Sequence, residues 1–116
     1  MTRPLKIRYM KGKLPKELGN FKNLVGAYLS EIRMIIINLN NIESPLHFKW
    51  ALTHELGHDY MMHDGGRSAV HKEEIEANLF SLMILGKREY RKAIKLYWPT
   101  HIKRYPTVKE CLELAK

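Results

Sequence analysis

Short alternating and β-branched runs occupy the first third of the chain, and longer stretches with helical spacing follow them. Lys6 to Met10, Leu24 to Leu29 and Ile32 to Asn38 are predicted strands, separated by turn residues in the Gly12/Pro15/Gly19 stretch and at Ser30-Glu31. Met34-Ile35-Ile36-Ile37 is an apolar, mostly β-branched run of strand length, closed by Asn38 to Asn41. This strand has two readings: an edge open to an extended peptide, or a buried core strand.

Ser44-Pro45 places an N-cap residue before proline at the first helical position, and Gly65-Gly66 reads as a stop. A helix is therefore predicted from about Pro45 to Met62. A second runs from about His71 to Leu85 and stops at Gly86, and Lys87 to Lys116 reads as one or two basic amphipathic helices interrupted at Pro99 and Pro106. The pattern predicts an α+β fold with a β-rich part (1–43), two central helices (44–86) and a basic helical tail (87–116). Leu46, Trp50, Leu52 and Leu56, with Ile75, Leu79, Leu82 and Met83, are the expected core faces of the two central helices.

The length of 116 residues suits one domain. Apolar residues at 45% and charged residues at 28% exclude a disordered tail and a fibrous repeat. The longest apolar runs span four residues, far below the roughly 18 a membrane helix needs, and no apolar h-region follows the basic N-terminus. No membrane partner is expected, and the expected compartment is the cytoplasm. Cys111, the single cysteine, rules out an intrachain disulfide and a cysteine-based zinc knuckle, and reads as inert packing.

Charge changes the picture through its placement. The net +8 divides into +6 over residues 1–22, −4 over 23–86, +7 over 87–109 and −1 over 110–116. The basic ends suit solvation or weak nucleic-acid contact, while the acidic middle holds five of the six histidines.

Inside the first predicted helix lies His54-Glu55-Leu56-Gly57-His58, an H-E-x-x-H motif. At about 100° per residue the two histidines lie 40° apart and one turn along the axis, so both imidazoles can reach one metal ion. Glu55 sits on the adjoining edge, where its carboxylate can act as a general base without being a ligand. Gly57 mid-helix costs about 1 kcal/mol relative to alanine, which a close backbone approach would offset.

Catalytic zinc usually takes three protein ligands, so a third lies downstream, among His63, Asp64, His71, Glu73, Glu74 and Glu76. On a continuing helix His63 would face about 180° from His54. Glu74 and Asn78 share a face of the second helix, whereas Glu76 points roughly 200° away from Glu74. Glu74 is the preferred ligand over Glu76, with Asn78 placed to hold a histidine tautomer. A metzincin would need glycine where Met61 stands, and a zinc ribonuclease H-x-x-x-H-x-x-x-x-x-H pattern would need His63 one residue later. His47, about 10.5 Å along the axis from His54, is too distant to ligate.

The stretch from Leu14-Pro15 through Tyr28, the strand ending Ile37-Asn38, His54 to His58, and Glu74-Ile75-Glu76-Ala77-Asn78-Leu79-Phe80 resembles the ImmA/IrrE family of small metallopeptidases. The resemblance covers about Leu14 to Leu85. Where the family often ends its second helix with Ala, then Leu-Leu-Met-Pro, this chain has Ser81 and Leu85-Gly86. It implies a small zincin-like domain from a bacterium, phage or mobile element, with one zinc ion per chain. His54, His58 and Glu74 would bind that ion and Glu55 would act as base. The implied partner is a helix-turn-helix repressor, cleaved to relieve repression. Tyr60, His71, Tyr97 and His101 are the candidate donors to the oxyanion. Competing expectations are a non-hydrolytic zinc-containing regulator that binds a repressor or DNA, and a zinc nuclease or DNA-associated protease using the basic ends.

Overall fold

A computed structural model describes residues 3–63, 70–100 and 105–116. Three strands, β1 (Lys6–Met10), β2 (Gly26–Leu29) and β3 (Met34–Asn38), form a mixed sheet in the order β1-β3-β2. β3 pairs in parallel with β1 and antiparallel with β2. Ile35, Ile36 and Ile37 are all buried, as expected of a strand covered on both faces and both edges. The central position decides between the two readings of this strand: it is core, and among the described residues the open edges belong to β1 and β2.

β2 and β3 are joined by a tight turn in which Arg33 takes a left-handed φ of 52° and its N–H donates to the Ser30 carbonyl. From there Arg33 reaches Asp59 on the first helix with two hydrogen bonds, 2.9 and 3.1 Å, and the Tyr28 hydroxyl donates to the same carboxylate at 2.8 Å. Arg33 holds the Asp59 carboxyl below its ordinary range, while burial and then Asp59 push the Tyr28 phenol up to about 12. This clamp presses β2 onto the helix that carries the motif.

That helix is α1 (Pro45–Tyr60), capped by the Ser44 hydroxyl accepting from the His47 N–H at 3.0 Å. α2 (Val70–Leu85), α3 (Lys87–Tyr97) and the short α4 (Val108–Glu113) follow. No helix among the described residues is long and apolar enough to cross a membrane. α1 and α2 pack closely because Gly57 has no side chain: a Cβ there would stand 3.0 Å from the Ala77 Cα and the Phe80 Cβ. Beside it, the hydroxyls of Thr53 and Ser81 meet at 2.7 Å across the seam.

The closeness of this seam overturns part of the expected core. α2 turns Glu74, Ala77, Asn78 and Ser81 inward, at i, i+3, i+4 and i+7, since only small or hydrogen-bonded groups fit against Gly57. Leu79 and Met83 are thereby rotated to solvent, and Met83 is 81% exposed. Trp50 is buried as expected, and Leu46, Leu52, Leu56 and Leu82 pack partly buried against the core.

The C-terminal region does more than carry charge. Tyr90, Ala93, Ile94, Trp98 and Cys111 join Trp50, Ala51, Ile35 and Ile37 in the apolar core. Tyr90 donates to the Cys111 carbonyl at 2.9 Å and the Trp98 indole donates to the Pro106 carbonyl at 2.7 Å. Burial pushes the Cys111 thiol up to about 12, which agrees with inert packing.

Candidate metal centre

α1 contributes His54, Glu55 and His58 to one side of a cavity of about 670 Å³, and α2 contributes Glu74 opposite them. The His54 Nε2 lies 2.8 Å from one Glu74 oxygen and the His58 Nε2 lies 3.2 Å from the other. All three residues are buried, and their ligand atoms lie within 4.8 Å of one another. This group can hold a metal ion. The donor chemistry fits such an ion: two imidazole nitrogens and one carboxylate converge, and each ring nitrogen has a lone pair to offer once its proton is on Nδ1. Burial alone would push the Glu74 carboxyl up, but the adjacent His54 and His58 hold it well below the usual carboxylate range.

Glu55 lines the same cavity without belonging to the converging group. Burial pushes its carboxyl up to about 7, with His58 pulling it down and Glu74 adding to the rise. β2 passes directly over it: a Cβ at Gly26 would lie 3.3 Å from the Glu55 Cγ and 3.4 Å from its Oε2. The Asn38 N–H donates to the Val25 carbonyl at 2.8 Å. Antiparallel alternation from that pair turns the backbone groups of Gly26 and Tyr28 away from β3, toward the open edge that borders the cavity.

The opposite wall comes from the C-terminal region, where Tyr97, Trp98, Pro99 and Tyr105 line the cavity. The Trp98 ring centroid lies 5.5 Å from that of His54, and Trp50 lies 5.8 Å from it on the other contact. The basic segment thus supplies an apolar wall that excludes water from one ligand. No family model matches this chain, and no curated protein or solved structure matches it.

The other sequence candidates separate cleanly. Glu76 lies 3.2 Å from His63 rather than with the converging group, and His71 pairs with Glu110 at 2.8 Å. Glu73 lines the cavity but is not among the three converging residues. Asp64, His101 and the Gly65-Gly66 stop lie outside the described residues. Tyr60 is exposed and packs on Phe80, while the Tyr97 hydroxyl meets Ser44 at 2.7 Å. His47 stands apart, stacked on Tyr97 at 3.9 Å with its Nδ1 accepting from the Glu43 N–H.

Two expectations need correction. Asn78 shares the face of Glu74, but its amide donates to the Glu74 carbonyl at 2.8 Å and reaches no histidine among the described residues. The residue behind a histidine is His63, whose Nδ1 lies 2.8 Å from the His58 Nδ1. α1 ends at Tyr60 rather than Met62, in a reversal where the Met62 N–H donates to the Asp59 carbonyl and the His63 N–H to the His58 carbonyl. These two bonds are the Schellman pattern, with Met62 in the left-handed position at φ 57° that glycine usually fills. The missing glycine hid the turn, and the turn folds His63 back onto the helix it had left.

Proposed function

We propose that this chain is a zinc-dependent metalloendopeptidase of zincin-like build, holding one zinc ion per chain. The observation that carries this reading is the buried convergence of His54, His58 and Glu74 with Glu55 in the same cavity and outside the ligand group. Two imidazoles with one carboxylate are a recurrent catalytic zinc set that leaves a position open. Zinc held there would supply Lewis-acid chemistry, acidifying water and polarising a carbonyl.

Glu55 takes the proton of the attacking water on its carboxylate and returns it to the leaving amine nitrogen. In the metal-free protein burial raises the affinity of this carboxyl for a proton, the direction a general base needs. The outward backbone groups of Gly26 and Tyr28 on β2 can pair with an extended peptide, and the bare Gly26 lets that strand pass close to Glu55. Trp98 and Trp50 shield the His54 ring from solvent.

By the resemblance in the motif segments, the substrate is a regulatory protein, a helix-turn-helix repressor of a phage or mobile element, met in a bacterial cytoplasm. The test is to incubate zinc-loaded protein with helix-turn-helix repressors, including one from the neighbouring reading frame if that frame encodes one, and with a mixed peptide library, reading products by mass spectrometry. Wild type should cleave, and Glu55→Gln should lose at least about 100-fold in rate while keeping its zinc. Cleavage that survives Glu55→Gln, or no cleavage by the zinc-loaded wild type, contradicts the proposal.

A further inference from the structure

The face of the His58 ring that looks away from Glu74 is tied into a chain of contacts that metal binding alone does not require. Its Nδ1 meets the His63 Nδ1 at 2.8 Å, and the His63 Nε2 meets the Glu76 Oε1 at 3.2 Å. His63 is only 7% exposed, so water does not substitute freely for the contact between the two rings.

The carboxylate end determines where the protons sit. A carboxylate only accepts, so His63 carries its hydrogen on Nε2 and presents a lone pair at Nδ1. That lone pair accepts from His58 Nδ1–H. The His58 Nε2 is then left with its lone pair directed at the Glu74 side, the form in which an imidazole binds a metal. With the opposite tautomer on His58, two lone pairs would face each other at 2.8 Å and Nε2 would carry a hydrogen in place of a ligand lone pair.

His54 provides the contrast within the same site. Its Nδ1 is buried and has no hydrogen-bond partner among the described residues, and its ring is held by Trp50 and Trp98 instead. One ligand is oriented by packing, the other by hydrogen bonds.

We infer that His63, backed by Glu76, is a positioning residue that sets the tautomer and ring angle of His58 for metal binding. The inference rests on the zinc reading above. The left-handed turn at Met62 is what delivers it, since a continued helix would carry His63 to the far side.

The test uses zinc alone, with affinity measured against a competing chelator, and cobalt(II) substitution read by visible absorption. His63→Leu should weaken zinc by about 10- to 100-fold and shift the cobalt bands. His63→Asn, whose amide oxygen can accept in the place of Nδ1, should recover wild-type affinity to within a few-fold. Glu76→Leu should weaken zinc less than His63→Leu and add nothing in the His63→Leu background. Wild-type zinc affinity and an unchanged cobalt spectrum in His63→Leu would overturn the inference while leaving the zinc reading intact. So would His63→Asn binding no better than His63→Leu. Failure of the wild type to bind zinc would overturn both. Should thermal melts show His63→Leu unfolded, Glu76→Leu decides, and wild-type affinity in that variant overturns the inference.

Discussion

Along the seam between α1 and α2 the buried positions, apart from the small Gly57 and Ala77, include Thr53, His54, Glu55, His58, Glu74, Asn78 and Ser81, whereas around α3 they are Tyr90, Ala93, Ile94, Trp98 and Cys111. Both regions exclude water, but only the second gains from doing so. Polar groups taken out of water cost free energy unless they find partners, and the seam pairs most of its groups one against another. Thr53 meets Ser81, the Nε2 atoms of His54 and His58 meet Glu74, and His63 meets His58. Three fully buried side-chain atoms are left without hydrogen-bond partners among the described residues: the Trp50 Nε1, the His54 Nδ1 and the Asn78 Oδ1. α3 packs against both α1 and α2, so the apolar half holds in register a seam that adds little stability itself.

The most damaging way to break this division is to hollow the apolar half. Ile94→Ala should cost about 3 kcal/mol in urea unfolding, through lost burial and the cavity left at a fully buried site, while the folded fraction keeps its metal affinity within a few-fold. A loss below about 1 kcal/mol would mean that the stabilising core lies elsewhere.

Glu55 tests the cost of the seam. Burial raises its folded-state carboxyl from 4.5 to about 7, so the stability it contributes is fully present below about pH 4.5 and is lost as pH rises through 7. In metal-free protein, Glu55→Gln should therefore stabilise by on the order of 2 kcal/mol at pH 8 and by almost nothing at pH 4. Thermal melts across that range check it, and a gain independent of pH would assign the effect to something other than the buried charge.

Gly57→Ala probes the close approach. The added methyl would meet the Ala77 backbone and the Phe80 Cβ at 3.0 Å, and the helix-propensity gain of about 1 kcal/mol should be outweighed by overpacking of 1–3 kcal/mol. Net destabilisation near 1 kcal/mol with weaker zinc binding is expected from denaturant titration and chelator competition. The smallest effect belongs to Met62→Gly, where an 85% exposed side chain sits on a left-handed residue. Relief there should stabilise by roughly 0.5–1 kcal/mol in thermal melts without changing zinc affinity.

The two regions were also unequally legible in the sequence. β1 and the start of α1 could be read directly, because alternation and the Ser44-Pro45 cap are local signals. Helical spacing put His54 and His58 on one face but left Glu74 and Glu76 both open; Glu74, preferred for the face it shares with Asn78, does converge with them, although the Asn78 amide turns back to the Glu74 carbonyl. Periodicity says which residues share a face but not which face is turned inward, and that is why Leu79 and Met83 were assigned to the core. The order of strands depends on pairing between distant segments, so a run of isoleucines left β3 undecided. His63 escaped because Gly65-Gly66 carried the visible stop signal, while the actual reversal used a methionine. The wall formed by Tyr97 and Trp98 was hidden by the surrounding lysines and arginines, whose charges dominate that segment.

Zinc per chain, measured by elemental analysis after gel filtration of wild type, Glu74→Ala and Glu76→Ala, tests the ligand assignment most directly. Close to one zinc is expected in the wild type, almost none in Glu74→Ala and close to one in Glu76→Ala. A wild type without zinc, or full zinc in Glu74→Ala, would contradict it.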